Sequence, residues 1–138
     1  AATAHRVRNP ERVDVLVTEN IYGDILSHLA SELAGSLGLA GSIMAGDKQC
    51  CAQAQHGSAP DIQGQDKANP TSMILSVAML LEWIGEKKTQ TQFSDAGRAI
   101  HDAIDAVLAD DVNHTRDLGG QAGTNAFTQA VTQALCLY

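Results

Sequence analysis

Two stretches of the sequence hold side chains whose types and spacing could do chemistry. In the first, NIYGDILSHLASELAG (residues 20–35), Asp24 and His28 stand four positions apart in a run with helical periodicity. Side chains at i and i+4 project from the same side of a helix, so a carboxylate and an imidazole could converge on one metal ion. Two solvated polar residues have the same spacing, and the spacing alone leaves both interpretations open.

The second stretch is a loop, HGSAPDIQGQDKANP (residues 56–70), which is dense in Gly, Pro, Asp and Asn and therefore unsuited to regular structure. Its small residues would let a flat ligand lie against the backbone. Asp61 supplies a carboxylate that can accept hydrogen bonds from the two vicinal hydroxyls of a ribose. The loop matches neither GxGxxG nor a P-loop, and surface loops favour the same residues. Composition therefore leaves nucleoside binding and an ordinary loop as alternatives.

The strands that should position these stretches are short. The β-branched run VDVLVT (residues 13–18) is typical of a strand buried on both faces of an α/β sheet. After Gly35 the chain is a glycine-rich connector with room for at most one short strand, and CCAQAQ (residues 50–55) predicts another extended piece. The expected fold is α/β, with a small sheet that contains residues 13–18 and is packed by three or four helices.

Helical periodicity predicts those helices. A first helix should cover residues 21–33. With Asn69 as cap and Pro70 in the first turn, TSMILSVAMLLEWIG predicts a helix that is apolar on nearly all sides, central to the core and ended by Gly85. The last two predicted helices span residues 93–109 and 124–138.

Size and composition exclude several classes of protein. The 138 residues, 44% of them apolar, suit one globular domain, and a net charge of −7 with scattered Lys and Arg disfavours nucleic acid as a partner. The longest apolar run, MILSVAMLL, is too short to cross a bilayer, and the first residues lack the apolar core of a signal peptide. Cys50, Cys51 and Cys136 lack zinc-site spacing and suit reduced thiols. We therefore expect a cytoplasmic protein that contacts no membrane.

Three segments carry a resemblance to a known family. In order, VTENIYGDILSHLASELAGSLGL, HGSAPDIQGQDKANPTSMILSVAMLLEW and DLGGQAGTNAF closely resemble the C-terminal part of the β-decarboxylating dehydrogenases, which comprise isopropylmalate, isocitrate, homoisocitrate and tartrate dehydrogenases. The resemblance covers essentially the whole chain. It implies an isocitrate/isopropylmalate dehydrogenase-like fold, C-terminal portion only. Residues 1–38 would correspond to part of the family's small domain and residues 39–138 to part of its large nucleotide-binding domain.

The resemblance also implies a cofactor. The family oxidises a 2-hydroxy acid with NAD or NADP, and the loop holds the adenosine half, with Asp61 on the ribose hydroxyls and Asn69 at the adenine edge. The residues implied in cofactor binding are His56, Gly57, Ser58, Ala59, Asp61, Ile62 and Asn69. NADP-dependent isocitrate dehydrogenases tend to have Lys-Tyr at the Asp61-Ile62 position and an arginine near Gly120, because the extra phosphate needs a cation. The expected cofactor is therefore NAD.

The metal motif of the family is matched only in part. The family uses Mg²⁺ or Mn²⁺, and its usual motif, N-[LIMF]-[FY]-G-D-I-[LI]-[ST]-D, places two aspartates near the ion. Asp24 matches the first aspartate, whereas His28 replaces the second and Gln53 replaces an acidic residue before the loop. Imidazole is a softer, uncharged ligand, so a magnesium site would be weakened, whereas manganese or zinc could still be tolerated. Asp24 stays a metal candidate, and His28 is a doubtful one.

The family's substrate-binding arginines and its catalytic tyrosine and lysine lie in its first part, which this chain does not match. We therefore assign no catalytic residue and expect no activity from this chain alone. Three interpretations remain: a fragment of a full dehydrogenase, a truncated nucleotide-binding paralogue, and an assembly module with an inherited loop. Truncation would uncover apolar faces and sheet edges, so a homo-oligomer is expected.

Overall fold

The fold is α/β and consists of helices packed around one β-hairpin. The computed structural model describes residues 2–136. Its regular elements are α1 (Ala2–Arg8), α2 (Asn20–Ala34), β1 (Gly41–Ala45), β2 (Cys50–Ala54), α3 (Thr71–Lys88), α4 (Thr91–Leu108) and α5 (Thr124–Leu135). The two strands pair antiparallel, with Gly41 opposite Ala54 and Ala45 opposite Cys50.

The hydrophobic core lies where α3, α4 and α5 meet. Its buried apolar side chains are Ala103, Ile104, Val107, Phe127 and Val131. Ile74 and Leu75 of α3 pack against this cluster, and the Phe127 ring is fully buried. The strongly amphipathic sequences of α4 and α5 direct these residues to one side, so the three helices form a base on which the hairpin and the loop rest.

Helix α3 is central, as predicted, but its buried face is made of small and polar residues. The Ser76 hydroxyl accepts the Ser42 N–H at 2.9 Å and lies 2.9 Å from the Gln53 carbonyl oxygen, to which it can donate. These contacts tie both strands to one buried residue of α3. At the start of the helix, the Asn69 side-chain oxygen accepts the Thr71 N–H at 3.0 Å, which confirms the predicted cap.

The predicted end of α3 at Gly85 is wrong. The helix continues to Lys88, and Gly85 is buried. A Cβ added at Gly85 would lie 2.1 Å from Ser94 Oγ and 2.8 Å from the Ser94 backbone nitrogen, so glycine here permits close approach of α4. Glycine often ends a helix, but tertiary packing explains this one.

The predicted strand at residues 13–18 is also wrong. The sheet of the described residues holds only β1 and β2, and Val15 and Val17 are 79% and 93% exposed. A β-branched run favours an extended chain, yet a doubly buried strand also needs neighbouring strands and covering helices. Residues 2–136 supply neither at this position.

Most of the other predicted helices and strands agree with the structure. Helices at 21–33 and 93–109 and the two short strands are confirmed within a few residues. Helix α1 was not predicted, and it brings the α-helices of residues 2–136 to five. The last predicted helix ends at Leu135, and residues 137 and 138 lie outside the described residues. Within residues 2–136 no helix is long and apolar enough to cross a membrane. Cys50, Cys51 and Cys136 are free thiols.

Candidate functional site

A cavity of about 650 Å³ lies where the end of α2, the loop after β2 and the start of α5 come together. This volume is within the range of small-molecule sites. The residues that line it are Glu32, Ser36, Leu37, Gly38, His56, Gly57, Ser58, Ala59, Ile62, Gln63, Gly64, Asp66, Lys67, Ala68, Asn69, Asp117 and Thr124. Three of these are carboxylates, which makes the wall rich in hydrogen-bond acceptors: Glu32, Asp66 and Asp117.

The loop that forms one wall has an unusual backbone. Ala59 lies in the left-handed region at φ 42° and ψ 61°, immediately before the short helical turn Pro60–Ile62. A residue with a Cβ pays a conformational cost in that region, and such residues often mark ligand-binding segments.

The far end of the same loop is anchored on α5. Asp66 is also left-handed, at φ 54°, and its carboxylate accepts the Asn125 N–H at 2.8 Å at the first turn of the helix. The Thr124 hydroxyl donates to the Ala68 carbonyl at 2.5 Å. A carboxylate at a helix N-terminus satisfies an otherwise free N–H and complements the helix dipole. The loop is therefore fixed at this end, despite its exposed composition.

Asp117 joins three segments of the cavity wall. Its carboxylate accepts hydrogen bonds from Ser36 Oγ at 2.5 Å, Asn69 Nδ2 at 3.0 Å and Thr115 Oγ1 at 2.6 Å, and all three donor residues are buried. Burial of the carboxylate raises its pKa, but the hydrogen bonds from Ser36, Thr115 and Asn69 outweigh that effect, and the pKa of Asp117 lies below its ordinary value. Asp117 is therefore ionised at neutral pH and holds the wall together.

This network also fixes the orientation of Asn69. Its side-chain oxygen accepts from Thr71 and one of its amide N–H groups donates to Asp117. One further amide N–H of the side chain remains for a ligand. Asn69 therefore faces the cavity with a fixed pattern of donors and acceptors.

The imidazole of His56 has a defined tautomer. Its Nδ1 lies 2.8 Å from the Gly57 carbonyl oxygen, which can only accept, so Nδ1 carries the proton. In the neutral ring Nε2 is then an acceptor. The exposed ring thus offers a hydrogen-bond acceptor at the mouth of the cavity.

The structure brings together six of the seven residues implied in cofactor binding. His56, Gly57, Ser58, Ala59, Ile62 and Asn69 all line the cavity. Asp61 does not: it is exposed, in the same turn as Ile62, and its carbonyl oxygen accepts from the Gln65 side chain at 2.7 Å. Asp61 therefore neighbours the cavity without forming its wall.

Gly120 has a structural explanation that does not involve a cofactor. A Cβ added there would lie 1.9 Å from the His114 carbonyl oxygen, and that oxygen accepts the Ala122 N–H at 3.0 Å. The turn therefore excludes any side chain at position 120. Gly120 therefore no longer supports the choice of NAD over NADP, and of the two positions only Asp61 still does.

Asp24 and His28 lie away from this cavity. Asp24 is exposed in a shallow cleft at the start of α2 that is also lined by Glu19 and Asn20. His28 Nε2 is 3.1 Å from the Gln55 carbonyl oxygen and 3.7 Å from Asp24 Oδ1. The nitrogen that faces a carbonyl carries a proton and has no lone pair for a metal. Within residues 2–136 no three His, Cys, Asp or Glu side chains are grouped to hold an ion, so these residues alone do not fit Mg²⁺ or Mn²⁺.

Sequence reasoning missed the residues that complete the cavity from outside the loop. Ser36, Glu32 and Asp117 come from segments up to 85 positions away from one another in the chain. The Ser36 hydroxyl also accepts the Gly38 N–H at 2.9 Å, which is a recognisable cap signal. Nothing in the local sequence, however, indicates that this cap meets Asp117.

Two solved structures that are similar to this chain are dehydrogenases. Isocitrate dehydrogenase from Methylococcus capsulatus is 41% identical with a TM-score of 0.87, over 97% of this chain and 38% of that one. The β-decarboxylating dehydrogenase from Thermococcus kodakarensis is 37% identical with a TM-score of 0.79, over 97% of this chain and 37% of that one. The family model for isocitrate/isopropylmalate dehydrogenase matches residues 1–135, and the chain belongs to this family.

Sequence relatives agree with the structures. Isocitrate/homoisocitrate dehydrogenase from Thermus thermophilus is 50% identical over 129 residues, which are 94% of this chain and 36% of the relative. A 3-isopropylmalate dehydrogenase from Sulfurisphaera tokodaii is 46% identical over 125 residues, 91% of this chain and 37% of the relative. The chain therefore spans little more than a third of the length of these relatives.

Proposed function

We propose that the cavity holds the adenosine half of NAD, and that the chain is the NAD-binding C-terminal portion of a metal-dependent 2-hydroxy-acid oxidative decarboxylase. The observation that carries this proposal is the convergence of six loop residues on one cavity of about 650 Å³. The match of the chain to dehydrogenases of hydroxy acids supports the same assignment.

The chemistry of the wall suits adenosine. Adenosine is a flat base with donor and acceptor edges and a ribose with two vicinal hydroxyls. Asn69 supplies a fixed amide for the base edge, and His56 Nε2 supplies an acceptor for a hydroxyl. The short side chains from Gly57 to Ala59 leave the backbone open to the ligand. Asp61, beside the cavity, is the proposed partner of the ribose hydroxyls.

The electrostatics favour NAD over NADP. Glu32, Asp117 and Asp66 line the cavity and Asp61 adjoins it, whereas Lys67 is the single Lys or Arg among the lining residues of the described chain. Lys67 Nζ lies 2.6 Å from Gln65 Oε1. A 2′-phosphate placed near these carboxylates would be repelled, whereas a 2′-hydroxyl can donate to them.

We propose that catalysis needs groups other than the described residues of this chain. Asp24 is one carboxylate where a divalent cation takes about six oxygen ligands, and His28 Nε2 is already bonded to Gln55. We therefore propose that this chain alone binds nucleotide and does not turn over a hydroxy acid.

Calorimetric titration tests this proposal. NAD, NADP and adenosine are titrated separately into the intact chain and into Asp61→Ala, with Asp47→Ala, in the exposed turn between β1 and β2, as the matched control. We expect binding of NAD and adenosine, weaker binding of NADP, and at least a tenfold loss of NAD affinity in Asp61→Ala alone, as for a charged hydrogen bond. No binding of any of the three ligands would refute the proposal.

A second candidate function is an assembly module, and one observation favours it. Large apolar side chains are exposed along the segment before α2 and on its first turns: Val15, Val17, Ile21, Tyr22 and Ile25. Such a concentration of exposed apolar side chains is typical of an interaction surface. We propose a homo-oligomer that covers it. Light scattering over a range of concentrations tests this, and a monomer at the highest concentration would contradict it.

A further inference from the structure

Gln55, the residue between β2 and the loop, is held by hydrogen bonds on three sides. Its N–H donates to Ser72 Oγ of α3 at 3.2 Å. Its carbonyl oxygen accepts from His28 Nε2 of α2 at 3.1 Å, and its side-chain oxygen lies 3.0 Å from Ser31 Oγ of the same helix. Main chain and side chain are thus both fixed, immediately before His56, the first loop residue of the cavity wall.

The anchors themselves are well fixed. Ser72 is fully buried and its hydroxyl also donates to the Ala40 carbonyl at the start of β1. Ser31 is buried, and its hydroxyl lies 2.8 Å from the Ser27 carbonyl of the preceding helical turn, so it shares its proton between Ser27 and Gln55. Gln55 therefore links α2 to α3 through groups that have little freedom to move.

His28 completes this link. The Gln55 carbonyl can only accept, so the proton of the neutral ring lies on Nε2, and this nitrogen cannot ligate an ion in that state. At 3.7 Å, Asp24 is too distant for a hydrogen bond to the ring. The geometry therefore supports a hydrogen bond to Gln55 as the role of His28, although its spacing from Asp24 suggested a metal ligand.

We propose that His28 is a positioning residue of the nucleotide site, and that His28, Ser31 and Gln55 form a clamp that fixes the entry of the loop at His56. The inference rests on the proposed function of the cavity, because it assigns to the clamp the affinity of that cavity for adenosine. A ligand that binds a loop must offset the entropy of ordering it, and a loop ordered in advance binds more tightly.

The experiment compares His28→Leu, which removes the donor, with His28→Gln, whose side-chain amide nitrogen can occupy the place of Nε2. His101→Leu on α4 is the matched control. The His101 imidazole nitrogen Nε2 lies 3.9 Å from Glu82 Oε1, and His101 is not one of the residues that line the cavity. Amide exchange at Gly57 and Ser58 is measured without ligand, and the affinity for adenosine is measured by calorimetry.

We expect His28→Leu to speed exchange at Gly57 and Ser58 and to weaken adenosine binding roughly fivefold, the worth of one hydrogen bond, while thermal unfolding of the core changes little. His28→Gln should restore both, and His101→Leu should alter neither. Unchanged exchange in His28→Leu would overturn the clamp, and faster exchange with unchanged affinity would overturn its role in binding. A parent chain that binds no adenosine would refute the proposed function, whereas the exchange rates would still report on the clamp.

Discussion

The cavity wall and the start of α2 differ in how many of their side chains are hydrogen-bonded or buried within the chain. At the cavity, Asp117 alone accepts three hydrogen bonds from buried residues, and the loop is fixed at Gln55 and at Asp66. At the other region, Asp24 lies exposed beside a histidine that is bonded elsewhere, and Val17 is 93% exposed. The polar groups named in the first region are hydrogen-bonded within the described residues, whereas Asp24 and Val17 in the second are exposed.

The difference bears on which of the proposed functions these residues could perform. A pocket closed by hydrogen bonds within the chain is organised before a ligand arrives, and such organisation favours binding. An exposed carboxylate and an exposed apolar surface need further groups to complete them. This contrast supports the proposal that the chain binds nucleotide, and that metal chemistry and assembly need groups other than the described residues.

The largest expected effect comes from a matched pair of glycine substitutions. A Cβ at Gly38 would lie 2.8 Å from both Asn69 Cβ and Asp117 Oδ2, whereas a Cβ at Gly23 would meet only Thr18 Cγ2, at 3.2 Å. Gly38→Ala should destabilise the fold by about 2 kcal/mol, since it overpacks a closed wall. Gly23→Ala should be neutral or stabilise it by up to about 1 kcal/mol, because it replaces a helical glycine. Urea unfolding measures both, and equal losses would remove the contrast between the regions.

Asp117→Asn should have the next largest effect, through the charge at the centre of the wall. We expect a loss on the order of 1–2 kcal/mol at pH 7, because the carboxylate is partly open to solvent and water can replace some of its bonds. Asp111→Asn is the matched control, because the Asp111 side chain is 98% exposed, whereas Asp117 accepts three hydrogen bonds from buried residues.

The pH dependence of this effect follows from the lowered pKa of Asp117. A lowered folded-state pKa contributes stability above the unfolded value, near 4, and that stability is lost as the pH falls through the folded value. The difference in unfolding free energy between Asp117→Asn and the parent should therefore be constant from pH 5 to 7 and decrease below about pH 4. A difference that grew on acidification would contradict the assigned charge state.

At the α2 region, Val17→Thr should change association rather than folding. Val17 is 93% exposed, so its replacement should alter the free energy of unfolding by less than about 0.5 kcal/mol. If this region is the surface of a homo-oligomer, the same change should weaken self-association in light scattering. The equally β-branched Val107→Thr, in the core, should do the reverse: it should destabilise the fold and leave any association constant of the folded chain unchanged. Association unaffected by Val17→Thr would locate the interface elsewhere.

The smallest expected effect is that of Ala59→Gly. Glycine relieves the left-handed strain at φ 42°, worth about 1 kcal/mol, but adds freedom to the unfolded chain of about the same size. The free energy of unfolding should therefore stay within about 0.5 kcal/mol of the parent value. Adenosine affinity should fall a fewfold as the loop loosens. A gain in affinity would mean that the strain opposes binding.

Local signals predicted much of the fold. The helices around residues 21–33 and 93–109 and the Asn69 cap were found because periodicity and capping depend on neighbouring residues. The strand at residues 13–18 was not found in the structure, since a strand depends on partners that its own sequence does not describe. Gly85 was wrongly predicted to end a helix for a similar reason: a side chain at this position would collide with Ser94 on another helix, and the local sequence does not show that contact.

The same distinction between local and distant contacts explains which residues of the candidate site were predicted. The loop residues from His56 to Asn69 were identified because they are contiguous and their pattern matches a family, and six of the seven line the cavity. Ser36 and Asp117 were missed, because a hydrogen bond across 81 positions of chain has no local signature. The role of His28 was also missed, because its partner is a backbone carbonyl, which any residue provides.

Residue-resolved NMR titration of the chain with adenosine tests the central claim most directly, because it compares both regions in one experiment. The account predicts saturable shifts in the amide signals of Gly57, Ser58, Asn69 and Asp117, with those of Asn20 and Asp24 unchanged. Shifts centred on Asn20 and Asp24, or no shifts at millimolar adenosine, would contradict it.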